Sequence, residues 1–216
     1  PTNYRFGTVG PALPGVEVKI ADDDEILVKG PNVFLGYYKD QEATDATLSN
    51  GWLHSGDLGA FDDDGFLSNT GRKKDIIITA GGKNITPKNL EAGIKNHELI
   101  NEAVVIGDRR KYLSALVTID PEAGEAWAAA NGEDANALHK SAKLRANIQA
   151  HIDEMNSHFA RVEQIKKFTI LRRNLTVEDG ELTPTLKVKR AKVNDHFADD
   201  IEAMYAEGGA PAQPRA

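Results

Sequence analysis

A change of pattern near residue 74 constrains this chain more than any other feature. Before it, short alternating segments fold back through polar turns: GVEVKI (15–20), then ADDDE, then EILVKG (25–30). Alternation of this kind predicts half-buried strands. WLHSGDLGAF and GFLSNTGR predict a second hairpin, joined at Asp62-Asp63-Asp64-Gly65, and the polar segment 40–49 predicts a short helix between the two hairpins. After the change, DIIITAGG is a β-branched run stopped by paired glycines, and Thr86 and Pro87 offer an N-cap and a first helical residue for NLEAGIKNH. AVVIGD (103–108), YLSALVTID (112–120) and IKKFTILRR predict strands. PEAGEAWAAANG, then DANALHKSAKLRANIQAHIDEMNSHFA, and finally KVNDHFADDIEAMYAEG predict helices. The expected fold class is α+β. A small β-rich segment covers 1–73, a compact α+β domain with a small central sheet flanked by helices covers 74–205, and 206–216 is a frayed tail.

The bulk properties exclude several functions. At 216 residues there is room for one large domain or two small ones. Apolar residues are 40% and charged residues 27%, ordinary for a globular protein. No run approaches the roughly 18 apolar residues of a membrane helix. The opening PTNYRFGTVG has no signal-peptide pattern, and an intracellular protein is expected. With no cysteine there is neither disulfide nor thiolate metal site. A net charge of -7 argues against nucleic-acid binding, which needs a basic surface.

The same motifs leave few places for chemistry. Gly82-Lys83 is followed by Asn84 and lacks the earlier glycine of a phosphate loop, and His97-Glu98 lacks the second histidine of a zinc-protease helix. The six histidines are scattered without metal spacing. His54 beside Trp52 suits a surface or packing role as well as a catalytic one. Asp57, in Ser-Gly-Asp, either caps its own turn or accepts hydrogen bonds from a vicinal diol such as a ribose. Arg72, in TGRKKD, is either a surface arginine or a five-donor fork for a ribose or phosphate oxygen. Gly81 and Gly82 mark a turn, or a place where the backbone approaches a thin ligand. In ELTPTLKVKR, Pro184 keeps Thr183 out of helical geometry, so the stretch is predicted to be extended, with Lys187 and Lys189 on one face. That face is either a solvated basic edge or a site where Lys187 meets charge developing on a phosphoryl group.

Taken together, GTVGPALPGVEVKI, EILVKGPNVFLGYYKD, GWLHSGDLGAFDDDGFLSNTGRKKDIIITAGGKNITPKNLE and ELTPTLKVKR resemble the AMP-forming acyl-CoA synthetase superfamily, and within it the long-chain fatty-acid–CoA ligases. The resemblance implies a two-step use of a fatty acid, ATP and coenzyme A. It places Asp57 and Arg72 on the ribose of ATP, Lys74 at a hinge, Gly81 and Gly82 along the coenzyme A tunnel, and Lys187 as the adenylation lysine. Thr185-Leu186-Lys187 stands where the commoner form has Ser-Gly-Lys. The superfamily's phosphate loop, acyl pocket and Mg2+-binding glutamate would all precede residue 1. The resemblance therefore implies the end of a large adenylation domain followed by a mobile lid, inactive alone, whose partner is the N-terminal adenylation domain of the same protein. A cytoplasmic enzyme is implied, with peripheral contact at the inner membrane face left open. A fatty acyl-AMP ligase serving a carrier protein and a non-catalytic binding module are the alternatives.

Overall fold

The structure, a computed structural model, describes residues 3–206. The chain divides into two compact units, one ending at Ile76 and the other beginning at Ile77. The first is mostly sheet. Strands β1 (Glu17–Ile20), β2 (Glu25–Lys29), β3 (Leu48–Ser49), β4 (Trp52–Phe61) and β5 (Leu67–Arg72) form one antiparallel five-stranded sheet. The ten-residue β4 is its spine and pairs with β2, β3 and β5. Gly59 lets β4 pass close to its neighbours: a Cβ there would lie 2.7 Å from Ile26 Cδ1 and from the Ser68 carbonyl oxygen. At the β4–β5 turn, Asp62 accepts from the Asp64 and Phe66 amides, and its carboxylate pairs with Arg5. A short helix α1 (Gln41–Thr47) starts where the Asp40 side chain accepts from the Ala43 amide.

The second unit is built on a three-stranded sheet in the order β10 (Ile165–Ile170), β9 (Leu113–Ile119), β8 (Ile100–Ile106). β9 runs antiparallel to β8 and parallel to β10, and it is buried on both faces, which explains its nearly continuous apolar sequence. Leu113, Ala115 and Val117 face a cluster with Leu90 and Ile94 of α2 (Pro87–Lys95), Ala128 of α3 (Pro121–Asn131), and Leu144, Ile148 and Ile152 of α4 (Ala142–Asn156). Leu116 belongs to a second cluster with Val193 of α5 (Arg190–His196) and Ile201 and Met204 of α6 (Ala198–Tyr205). A small hairpin, β6 (Ile77–Ile78) with β7 (Asn84–Ile85), is tied by the Arg109 and Ala80 amides to the turn joining β8 and β9. The fold class is α+β, as the sequence implies.

Several predicted elements are interrupted. The helical pattern from Asp134 to Ala160 splits into a 3-10 segment (Ala135–Lys140) and α4, because Ser141 is extended and its hydroxyl caps α4 by accepting from the Leu144 amide. The last helix breaks at Phe197, whose side chain turns into the core. Of DIIITAGG, Ile77 and Ile78 form a strand, Asp75 ends a 3-10 turn, and Ala80 and Gly81 lie in a turn. Thr86 precedes α2 without a side-chain capping bond. Of the predicted tail, residues 207–216 lie outside the described residues.

Candidate functional site

Asp57 and Arg72 are brought together by strand register. They are direct partners across the β4–β5 ladder, and Arg72 Nε donates to Asp57 Oδ1 at 2.8 Å. This contact raises the Arg72 pKa above its ordinary value. No second hydrogen bond to Asp57 Oδ2 or to the two Nη groups of Arg72 occurs among the described residues, although Asp75 adds a favourable charge interaction with Arg72. The Arg72 side chain is 64% exposed. The pair therefore presents acceptor and donors side by side, the complement of a sugar hydroxyl pair.

A bulge aims Asp57. Leu27 pairs with His54 and Glu25 with Leu58, so Ser55, Gly56 and Asp57 all stand opposite Ile26. Gly56 takes a φ of +71° there, a left-handed conformation that suits glycine. The Ser55 hydroxyl donates to the Ile26 carbonyl and accepts from the Asp57 amide. Beneath lies Glu25, 5% exposed, whose carboxylate accepts from the Gly56 amide at 2.8 Å, Lys73 Nζ at 3.2 Å and His54 Nδ1 at 3.1 Å. Burial pushes the Glu25 carboxyl up, but these hydrogen bonds prevail and hold it below the usual carboxylate range. Lys73 also pairs with Asp23 at 2.5 Å, and both carboxylates raise its pKa, Asp23 first. His54 thus joins this buried network. Its sequence neighbour Trp52 is not the reason for its placement.

The second group of residues surrounds Lys187. The segment is not extended throughout. Leu182 and Val188 form an antiparallel bridge, the Thr183 amide donates to the Lys187 carbonyl, and the Leu186 amide donates back to Thr183. Leu186 has a φ of +60°, so the residue standing where the commoner form has glycine occupies a left-handed turn position. The Thr183 hydroxyl accepts from the Lys187 amide at 3.0 Å and lies 3.0 Å from the Thr185 hydroxyl. The exposed ammonium groups of Lys187 and Lys189 have no partner among the described residues. Arg190 is used inside the fold, donating to Glu91 at 2.5 Å and to the Val105 carbonyl at 3.2 Å.

At the base of this loop Glu181 is fully buried and accepts both Nη groups of Arg173, the Thr176 amide and His196 Nδ1. The Arg173 fork, with His196 and the Thr176 amide adding to it, outweighs burial and brings the Glu181 carboxyl down to about 2. The motifs single out neither Glu25 nor Glu181. The available signals were a charge heading the apolar run EILV and another directly before LTPT.

Gly81 and Gly82 lie in the β6–β7 turn, where the Gly82 amide donates to the Thr79 carbonyl. Gly82 has a φ of +76°. Gly81 has no positive φ, and a Cβ on it would meet nothing nearer than Thr79 Oγ1 at 3.9 Å. Lys74 is exposed in the 3-10 turn Lys73–Asp75. Asp57, Arg72 and Lys74 belong to the first unit, and Gly81, Gly82 and Lys187 to the second.

A model of the AMP-binding enzyme C-terminal domain matches residues 74–209. The chain belongs to that family. The long-chain-fatty-acid–CoA ligase FadD15 of Mycobacterium tuberculosis (strain ATCC 25618 / H37Rv) is 49% identical over 207 residues, which cover 94% of this chain and 34% of that protein. The adenylation domain of a carboxylate reductase from Mycobacterium chelonae is similar in structure, with a TM-score of 0.74, 25% identity, and coverage of 95% of this chain and 33% of its own. The O-succinylbenzoate coenzyme A synthetase MenE of Bacillus subtilis, solved with ATP and a magnesium ion, gives 0.65 and 29% over 88% of this chain and 36% of its own. This member of the AMP-binding C-terminal family spans about a third of the length of the curated relatives it matches.

Proposed function

We propose that this chain is the C-terminal portion of an ATP-dependent, AMP-forming long-chain fatty-acid–CoA ligase. Residues 1–73 end the large adenylation domain, 74–205 form the mobile lid, and Lys74 is the hinge. The observation that carries this reading is the unpaired Lys187 ammonium, presented by a loop whose backbone is braced at both stems. A mobile cation kept free of internal partners suits transient negative charge.

In the first half-reaction a fatty carboxylate oxygen attacks the α-phosphorus of ATP, the bond to pyrophosphate breaks, and acyl-AMP forms. Charge grows on the α-phosphate oxygens, and Lys187 offsets it from hydrogen-bond distance. Asp57 accepts from the ribose hydroxyls while the Arg72 Nη groups donate to the same sugar. In the second half-reaction the coenzyme A thiolate attacks the acyl carbon and AMP leaves. Gly81 lies along the pantetheine arm. Neither its backbone angle nor its neighbours exclude a side chain, so its bareness is useful to a passing ligand.

Mg2+ does not fit a site here. No group of three or more His, Cys, Asp or Glu side chains that could hold a metal occurs among the described residues, and no step is assigned to the ion in this chain. The partner is the N-terminal adenylation domain. Phe6, Leu35 and Tyr38 are about nine-tenths exposed or more, and large apolar side chains left this open favour a covering body. On this reading the chain depends on that domain for activity. The reading carries over a cytoplasmic enzyme from the resemblance. No helix among the described residues is long and apolar enough to cross a membrane.

The test is product analysis of the full-length protein with a long-chain fatty acid, ATP, Mg2+ and either coenzyme A or an acyl-carrier protein. Acyl-CoA detected by mass spectrometry is the expected result. Acyl-carrier product alone would reassign the acceptor, and failure to form acyl-AMP would overturn the ligase reading.

A further inference from the structure

No hydrogen bond or ion pair among the described residues holds the Lys187 ammonium, so its placement depends on the backbone of the loop that carries it. That loop closes where the Lys189 amide donates to the Glu181 carbonyl at 2.7 Å. The Glu181 side chain then ties the closure to three other segments. Oε1 accepts from Arg173 Nη2 at 2.6 Å and from His196 Nδ1–H at 2.9 Å. Oε2 accepts from Arg173 Nη1 at 2.8 Å and from the Thr176 amide at 3.1 Å. Arg173 follows β10, Thr176 opens the turn that leads back to Glu181, and His196 ends α5. Both lone-pair faces of the carboxylate are used, and the group is entirely shut off from water.

We propose that Glu181 is a positioning residue for the adenylation step: its buried carboxylate fixes the base of the 181–189 loop, and through that backbone it fixes where Lys187 reaches. The role rests on the reading of Lys187 given above. A glutamine in its place keeps the shape but turns an amide donor toward Arg173, His196 or the Thr176 amide, all of them donors. The loop base then loses its bidentate tie, while the other stem stays held by Arg190 on Glu91 and the Val105 carbonyl. Lys187 lies six residues along, where a displacement of about 1 Å can cost up to about 10²-fold in a step that depends on alignment.

The experiment compares Glu181→Gln, Glu181→Asp and Lys187→Ala with the wild-type full-length ligase, measuring the two half-reactions separately. For Glu181→Gln the expected result is a fall of roughly tenfold in the adenylation kcat, with KM for ATP and the rate of acyl-CoA formation from supplied acyl-AMP each within about twofold. Glu181→Asp, which keeps the charge, recovers part of the rate. Equal losses in both half-reactions, accompanied by a lower Tm, would mean a purely structural residue and overturn the inference. Unchanged adenylation in Glu181→Gln would also overturn it, provided Lys187→Ala is impaired. If Lys187→Ala itself adenylates normally, it is the underlying reading of the lysine that fails.

Discussion

The two candidate sites, one in each unit, are built on one plan and finished differently. In each, a buried glutamate, Glu25 or Glu181, collects backbone amides and cations beneath a turn that offers a charged side chain to solvent. In the first unit the offered group is already paired, Asp57 with Arg72 at 2.8 Å. In the second it stands alone as Lys187. Under the proposed roles, the difference follows from what each would meet. A ribose brings no net charge of its own, so a preformed acceptor–donor pair recognises it without leaving an ion uncompensated. A phosphoryl group gains charge only as the reaction proceeds, and a cation already neutralised by a neighbour has less to give it.

Acid should weaken both glutamate anchors. Glu181 has a folded pKa of about 2, below the ordinary 4.5, so the stability it confers is complete above pH 4.5 and is lost as pH falls toward 2. The shift corresponds to about 3 kcal/mol at most. The carboxyl carbon of Glu181 should titrate near 2 by NMR, and the Lys189 amide should lose exchange protection in the same interval. Glu25 is also held below its usual range, so its stabilising effect is likewise lost on acidification. A Glu181 carboxyl titrating near 4.5 would break the comparison by removing the buried anchor from one side.

Leu186→Gly should have a smaller effect. It relieves a left-handed leucine worth about 1–2 kcal/mol, while the added freedom of glycine in the unfolded chain returns about 0.5–1 kcal/mol. The expected outcome is an unfolding free energy changed by no more than about 1.5 kcal/mol and an adenylation rate within about threefold. A loss beyond tenfold would sharpen the comparison differently, by assigning the exposed Leu186 side chain a contact of its own in the reacting state.

Much of the fold can be read from the sequence because its hairpin turns carry their own marks, such as Asp62 with its two amide bonds and Gly65 at positive φ. The interruptions at Ser141 and Phe197 cannot be read this way. Helical periodicity runs through both, and a serine cap and an inward-turned phenylalanine decide the breaks. At the candidate site the exposed residues sit in recognisable motifs, whereas the groups that hold them do not. Glu25 meets Gly56 from 31 positions away and Lys73 from 48, and Glu181 meets His196 from 15. Such partners are chosen by the three-dimensional fold, and Pro184 alone gave no hint that Leu186 would reverse the chain.

The most direct test of Lys187 as the adenylation cation is Lys187→Ala in the full-length ligase, with Lys189→Ala as control, timing acyl-AMP formation apart from acyl transfer. Acyl-AMP formation should fall by about 10² or more while transfer from supplied acyl-AMP and the control stay near wild type. Equal loss in both half-reactions, or full adenylation without Lys187, would contradict the account.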